Sequence, residues 1–262
     1  MSKELVAKEK QEVALSSKEI QAMLAEDNGA GLEESVSTDG GRPLLILLQS
    51  NTPMVNGGKE VAISGAAAGM FFQMNTGALL DGEKGFLFLP CHYRTRFYQA
   101  PYDSQGRTGA TTMRHVPDSR GLVYLGQKET RVGNKTLLVL PNAAECVYVV
   151  KEWFGFMVDG ENTHAVEMRM KSTAVGASDT IYSVHKIKYK GGALFNGIYR
   201  ISSKHMSAKD NNWKQLTAKW EMDIVEHPMA AKLIVSARAL HAEVKSEQGS
   251  GTFVDESPDE PC

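Results

Sequence analysis

The sequence predicts a mainly β fold with some helix (α+β), in which a β-sheet domain is followed by a C-terminal helix and a disordered acidic tail. Three observations lead to this fold class. Apolar and aromatic runs of strand length recur between Pro43 and Val225 and are separated by Gly, Asn and Asp. One helical pattern follows them. The last eleven residues then combine two prolines and four acids with little apolar surface.

Strand-like segments fill most of this central region. Val, Leu and aromatic residues dominate them, and residues 164–171 alternate apolar and polar side chains as a half-buried strand does. The predicted strands are residues 44–49, 85–99, 121–125, 135–140, 145–158, 164–171, 181–189, 198–203 and 213–225. Residues 65–69, Gly-Ala-Ala-Ala-Gly, instead favour a turn or a helix start.

The two ends of the chain differ from this central domain. The predicted divisions are a flexible polar N-terminal region (1–42), a β-rich domain (43–247) and the disordered acidic tail (248–262). Within the first, an amphipathic helix is expected from Ser16 or Ser17 to about Glu26. The domain closes with a helix over residues 229–247, which has Pro228 in its first turn.

Charge is unevenly distributed along the 262 residues, which carry 29 Lys/Arg and 31 Asp/Glu for a net charge of −2. Residues 1–42 hold 5 basic and 9 acidic side chains, and residues 246–262 hold none and 5. The remaining 24 basic and 17 acidic side chains give residues 43–245 a charge of +7. A basic body between two acidic ends favours a polyanionic partner.

Cysteine and histidine usage gives no sign of a metal or a disulfide framework. Cys91, Cys146 and Cys262 form no CxxC pair, and no two of the seven histidines lie at a short ligand spacing. We therefore predict no metal and no cofactor. The N-terminus lacks an apolar signal segment, and no apolar run approaches the roughly 18 residues that a membrane span needs. The predicted location is the cytoplasm, with no membrane contact.

No catalytic motif supports an enzyme. The phosphate-binding patterns GxxxxGK[ST] and GxGxxG do not occur, and neither do GxSxG and HExxH. The paired acids Glu33 and Glu34 lie in the polar N-terminal region, where no pocket is expected. We expect a protein that is not an enzyme.

Basic residues interleaved with aromatic residues carry the main functional signal. In the second predicted strand, alternation places His92, Arg94, Arg96 and Tyr98 on one face and Tyr93 on the other. Such a face would offer its two arginines to phosphates, with Tyr93 or Tyr98 available to stack on a base. A solvated strand face without a ligand is the alternative interpretation.

The same composition recurs on later predicted strands. Lys186, Lys188 and Lys190 would share one strand face. Single-strand binding needs a cationic groove and exposed aromatic faces, and each stacked base contributes about 1 to 3 kcal/mol. The candidate nucleic-acid-binding residues are Arg94, Arg96, Tyr93, Tyr98, Lys186, Lys188, Tyr189, Lys190, Arg200 and Trp213.

The acidic tail is the second functional feature. The four acids of this tail, with no base among them, can compete for a basic groove within the same chain, or can present an aromatic residue and acids to a partner protein. A solubilising terminus is the alternative. The candidate regulatory residues are Phe253, Asp255, Glu256, Asp259 and Glu260.

Three stretches carry a family resemblance. Leu-Leu-Gln-Ser-Asn-Thr-Pro at residues 47–53 leads through Asn-Thr-Gly at 75–77 into Gly-Phe-Leu-Phe-Leu-Pro-Cys-His-Tyr-Arg-Thr-Arg-Phe-Tyr at 85–98, and the chain closes on the acidic tail. This organisation resembles the bacteriophage-type single-stranded DNA-binding proteins. The resemblance implies an OB-like barrel or a curved antiparallel sheet. The tail differs from the family pattern because it ends on Cys262 and not on an aromatic residue.

The resemblance implies a protein that coats single-stranded DNA during replication or recombination in the host cell cytoplasm. Its expected partners are single-stranded DNA and replication or recombination proteins that contact the tail, and it could form a homo-oligomer. The alternative function is a virion or other self-assembling structural protein. A nuclease would need carboxylates or histidines clustered in the fold.

Overall fold

The computed structural model describes residues 42–57, 62–74, 76–101, 114–116, 130–132, 135–139, 145–208 and 211–249, together with Glu19, Ile20 and Ala22. This part of the chain is mainly β, with a sheet that curls into a half-barrel and a helix at its C-terminal end. The predicted fold class is confirmed. The predicted strand at 121–125, the acidic tail after residue 249 and nearly all of the N-terminal region lie outside the described residues.

Eleven strands are described and form one sheet. The strands are β1 (Leu44–Leu47), β2 (Phe71–Gln73), β3 (Ala78–Leu80), β4 (Phe86–Pro101), β5 (Arg114–Val116), β6 (Thr130–Val132), β7 (Lys135–Val139), β8 (Glu145–Asp159), β9 (Asn162–Met170), β10 (Gly197–Ala208) and β11 (Asn211–Asp223). The main order is β11-β10-β4-β8-β9-β1-β2-β3; β5 pairs with β4, β7 with β8 and β6 with β7. Adjacent strands are antiparallel, except that β1 and β9 are parallel.

Helices and short turns connect these strands. The α-helices are α1 (Pro53–Asn56), α2 (Val175–Tyr189) and α3 (Ala230–Gly249), and single 3-10 turns cover Ser172–Ala174, Leu194–Asn196 and Ile224–Glu226. The long α3 confirms the helix predicted near the C-terminus. Residues 65–69 form turns, as predicted, with Gly65 and Gly69 at φ values of 80° and 98° that favour glycine.

The long antiparallel pair β4 and β8 forms the centre of the sheet. Phe and Tyr occur in both strands, together with Leu in β4 and with Val and Trp in β8, and such residues pack well on a pleated surface. The register shifts between Pro90 and His92, where proline has no N–H to offer the ladder. Opposite this bulge lies Gly155, where a Cβ atom would come within 2.2 Å of the Leu89 carbonyl oxygen. The close approach therefore requires glycine.

Each face of the sheet carries its own hydrophobic core. On one face Leu233, Ala237, Leu240 and Val244 of α3 follow helical spacing and pack in a cluster with Phe154. The other cluster surrounds Trp153, Tyr93 and Tyr199 and includes Ala177 and Ile181 of α2. Ile20 is buried in the α3-side cluster, and Glu19, Ile20 and Ala22 are helical, in agreement with the helix predicted there. Helices therefore cover both faces of the sheet.

Polar contacts hold the curled sheet in its shape. The Gln49 side chain donates from Nε2 to the Lys214 carbonyl oxygen at 2.7 Å and accepts from the Lys214 N–H at 2.9 Å. Ser203 on β10 donates from Oγ to the Gly69 carbonyl oxygen at 2.7 Å. These bonds bring the outer strands β10 and β11 against the segments that flank β1 and β2. The segment that follows β1 is therefore tied directly to β11.

One secondary-structure prediction is wrong: residues 181–189 belong to the helix α2 and not to a strand. Their alternation of Ile, Tyr, Val and Lys is typical of a strand, yet Ala177, Ile181 and His185 are buried at the i, i+4 spacing of a helix. Lys190 then adopts a left-handed conformation with φ 52°, and Gly191 follows with φ 83°. Burial of this helical face and the stop at Lys190 outweigh the β propensity.

Candidate nucleic-acid interface

The arginines of β4 are buried, whereas the strand pattern predicted that they face solvent. Arg94 and Arg96 are only 2% and 3% exposed, and His92 on the same face is fully buried. Tyr93, expected to stack on a base, is only 5% exposed. It lies on the other face of β4, where its ring centre is 4.7 Å from that of Trp153. The alternation itself was predicted correctly, but both faces are covered.

A cross-strand carboxylate explains how the arginines are buried. Glu152 on β8 is fully buried, with Oε2 lying 2.6 Å from Arg94 Nε and 3.2 Å from Arg96 Nε. Arg169 Nε on β9 lies 3.5 Å from the other Glu152 oxygen and 2.6 Å from Glu167. Burial lowers the pKa of Arg94, and the charge of Glu152 counteracts this effect. Arg94 and Arg96 thus belong to the interior of the fold.

A basic and aromatic surface forms at the C-terminal end of α2, and we call it the helix patch. Its residues are Tyr182, Lys186, Lys188, Tyr189, Lys190 and Trp220. The Lys186 ammonium lies 4.6 Å from the centre of the Tyr182 ring, and the Lys188 ammonium lies 3.4 Å from that of Trp220. The three predicted lysines therefore lie near Tyr189 at the end of a helix, but they do not share one face as predicted, because Lys188 contacts Trp220 and Tyr189 while Lys186 contacts Tyr182.

Hydrogen bonds fix the inner side of the helix patch. Trp220 donates from Nε1 to the Tyr189 hydroxyl oxygen at 3.0 Å, and this hydroxyl donates to Asp223. Lys188 lies 2.8 Å from the same carboxylate. Burial, and then the bond to Asp223, raise the pKa of Tyr189 far above its usual value. Because Lys188 is already paired, the outer charge of the helix patch comes from Lys186 and Lys190, which are exposed and one helical turn apart.

A cleft of about 780 Å³ opens at the other end of β11. Trp213 and Leu216 of β11 line it together with Leu47 of β1, and the cations Arg169 and Lys171 are part of its wall. The complete lining is Leu44, Leu45, Ile46, Leu47, Gln49, Ser50, Asn51, Met168, Arg169, Lys171, Thr173, Asn212, Trp213 and Leu216. The cleft thus combines apolar walls with amides, hydroxyls and cations.

The remaining predicted site residues lie elsewhere. Arg200 on β10 pairs with Glu221 at 2.9 Å and is absent from the lining of the cleft. Tyr98 belongs to β4, opposite Tyr148 and His115, but its side chain is outside the described part of the chain. The same holds for the predicted tail residues Phe253, Asp255, Glu256, Asp259 and Glu260.

Sequence reasoning missed Tyr182 of the helix patch and the cleft residues Arg169, Lys171 and Asn212. The alternation of residues 164–171 placed Arg169 and Lys171 on one strand face, and this signal was available. Nothing in the sequence indicates that this strand end lies beside Trp213, because the contact depends on how the sheet curls.

The described residues give no sign of a metal centre or a membrane span. Within them no group of three or more His, Cys, Asp or Glu side chains is placed to hold a metal ion. No helix in this part of the chain is both long and apolar enough to cross a membrane. Cys91 is fully buried, and burial raises the pKa of its thiol well above the usual value.

A buried histidine beneath the helix patch makes the stability of the fold pH-dependent. His185 Nε2 lies 2.8 Å from the Gly192 carbonyl oxygen, and its buried Nδ1 has no hydrogen-bond partner among the described residues. Burial lowers the pKa of His185 from its usual 6.5. The unfolded chain therefore binds a proton at higher pH than the folded chain does. This contribution to stability is complete above pH 6.5 and is lost as the pH falls.

We expect His185→Phe to flatten the fall in unfolding free energy between pH 7 and pH 5. The variant should also be about 1 kcal/mol less stable at pH 7, because it loses the bond to Gly192. Urea unfolding of both proteins at a series of pH values measures the two effects. A pH dependence as steep as that of the wild type would contradict this role of His185.

The fold and these surfaces define a class: a mainly β protein with a curled sheet, helices on both faces, and a basic and aromatic surface at the C-terminal end of α2. Comparison with family models goes further. The chain belongs to the Pam3 phage gp34-like protein family, whose model matches residues 10–249. It is thus a member of a bacteriophage protein family. The searches of curated proteins and of solved structures return no significant match.

Proposed function

We propose that this phage-family protein binds single-stranded DNA along the edge strand β11, between the cleft and the helix patch. One observation supports the proposal most strongly: Trp213 and Trp220 lie near the two ends of the same strand, each beside lysine. Lys171 lines the cleft with Trp213, and Lys188 lies over the Trp220 ring. Aromatic rings with neighbouring cations are what binding of unpaired bases and their phosphates requires.

Side chains alternate along a strand, so Trp213 and Trp220 lie on opposite faces of β11, and the bound strand would follow the edge of β11 to reach both. The two tryptophans are seven positions apart in the sequence, which corresponds to roughly 23 Å at about 3.3 Å per residue. This length accommodates several nucleotides, in keeping with the short binding sites of small single-strand-binding domains. Duplex DNA hides its bases from such platforms, so we expect a preference for single strands.

Charge contributes less than stacking to this proposal. Residues 43–245 carry a charge of +7, but Arg94, Arg96 and Arg200 are paired within the fold. Asp223 also offsets Lys188. The proposed phosphate contacts are Lys186 and Lys190 on the helix patch and Lys171 at the cleft. About three contacts predict that log K falls with log salt with a slope of roughly −2.

The biological role that follows is the coating of single-stranded DNA exposed during phage replication or recombination. No chemistry is required of the protein, so we propose that it is not an enzyme. Its proposed location is the host cell cytoplasm. The acidic tail is a proposed contact for replication or recombination proteins.

A binding titration tests the proposal. A fluorescently labelled oligo-dT is mixed with the full-length chain, and anisotropy is read with and without an excess of unlabelled duplex. We expect saturable binding that the duplex does not displace. Size-exclusion chromatography without DNA provides the second reading. Regular self-association without DNA, together with an oligo-dT anisotropy that does not rise when the protein is added, would contradict the proposal and favour an assembly protein.

A further inference from the structure

The cleft exists because two parallel strands separate. β1 pairs with β9 only through Leu44 with Glu167 and Leu45 with Met168. Beyond this point β1 continues to Leu47, so a gap opens between the two strands, and Trp213 of β11 lines it. The Gln49 side chain, bonded to both backbone groups of Lys214, ties the rim to β11. Paired strands and a bonded rim therefore form the cleft.

Its walls suit a flat and partly apolar group. Leu45, Leu47, Met168 and Leu216 supply apolar surface from three strands, and the Trp213 indole adds an aromatic wall. A volume of about 780 Å³ falls within the range of small-molecule sites, which combine apolar walls with a few polar groups. An aliphatic ligand would use these walls but not the polar groups among them.

The polar groups specify the ligand further. Trp213 Nε1 is fully covered and has no hydrogen-bond partner among the described residues, although buried indole N–H groups normally have one. The Asn51 and Asn212 amides in the lining can each donate and accept. Lys171 and Arg169 place positive charge at the same cleft, although Arg169 is shared with Glu152 and Glu167. The cleft thus offers hydrogen-bond donors and a cation beside an aromatic wall.

We infer that the cleft is a pocket for one nucleobase of the bound strand, with the adjoining phosphate near Lys171. A base is flat and can lie against the Trp213 indole, and its polar edge can pair with the amide of Asn51 or Asn212. This inference rests on the proposed function and adds a specific anchor to it. The pocket holds a single base, while the helix patch contacts the strand without enclosing it.

Deoxynucleoside monophosphates test the pocket separately from strand binding. Each of the four is titrated into the full-length chain, and tryptophan fluorescence is read. We expect quenching in the wild type, loss of this quenching in Trp213→Phe, and its retention in the matched variant Trp220→Phe on the same strand. Trp213→Phe should also weaken oligo-dT binding by about two- to tenfold, because phenylalanine offers a base a smaller stacking surface than the indole does. Thermal melts establish that both variants fold.

The outcomes separate the pocket from the proposed function. Oligo-dT binding that persists unchanged in Trp213→Phe, without monophosphate quenching, would overturn the pocket and leave the proposed function standing. An absence of oligo-dT binding in the wild type would overturn the proposed function itself. Quenching of Trp213 by a glutamate-rich peptide, but not by any monophosphate, would overturn the pocket in favour of an acidic peptide site.

Discussion

Replacement of Glu152 by glutamine is expected to lower the unfolding free energy by about 3 to 5 kcal/mol, the usual cost of breaking a buried ion pair. The side chain is fully buried and lies within 3.5 Å of Arg94, Arg96 and Arg169. Glutamine preserves the shape but removes the charge that balances these guanidinium groups. No surface charge elsewhere can replace it, because the cluster lies inside the fold.

Urea unfolding measures this effect, and a second carboxylate provides the control. Glu221 pairs with Arg200 at 2.9 Å, but both side chains are partly exposed, at 29% and 40%. We therefore expect Glu221→Gln to cost less than about 1 kcal/mol. Equal losses of unfolding free energy in the two variants would contradict a structural role for the ion pairs between Glu152 and the buried arginines.

Reversal of two charges on the helix patch should reduce the affinity for oligo-dT by at least about tenfold at low salt. Lys186→Glu/Lys190→Glu changes two exposed residues and leaves Lys188, Tyr189 and Trp220 in place. Two lost phosphate contacts should also make the salt slope shallower by roughly 1.4. Anisotropy titrations at several salt concentrations measure both quantities.

The matched control moves the same charge change to the other face of the sheet. Lys232 and Lys245 lie on α3, whose core is separate from that of α2, and both are exposed. Lys232→Glu/Lys245→Glu should therefore keep a salt slope close to that of the wild type. A similar loss in both double variants would mean that net charge, and not the helix patch, governs binding.

Much of the sheet could be predicted from the sequence because its strands are long and their patterns are strong. The runs that became β4 and β8 are rich in aromatic and β-branched residues, and α3 follows a clear helical spacing after Pro228. The helix α2 was missed because its residues alternate locally as in a strand. Its four-residue burial pattern becomes visible only when the face packed against the sheet is known.

The functional surface was harder to predict than the fold. Alternation correctly placed Arg94 and Arg96 on one face, but it cannot show that Glu152, 58 residues beyond Arg94, pairs with them across the sheet. Lys186, Lys188 and Lys190 lie at the same end of α2 because they are close in sequence, but the helix separates Lys188 from the face of the other two. The cleft joins β1, β9 and β11, so it depends on sheet order and curvature, which local patterns do not specify.

The most direct test of single-strand binding is the salt dependence of oligo-dT affinity for the wild-type chain, measured beside a duplex of equal length. We expect tighter binding of the single strand at every salt concentration and a slope of roughly −2, as for a few phosphate contacts. We also expect substantial affinity to remain at high salt, because stacking on Trp213 and Trp220 is insensitive to counterions. Equal affinity for duplex, or no binding to either, would contradict the account.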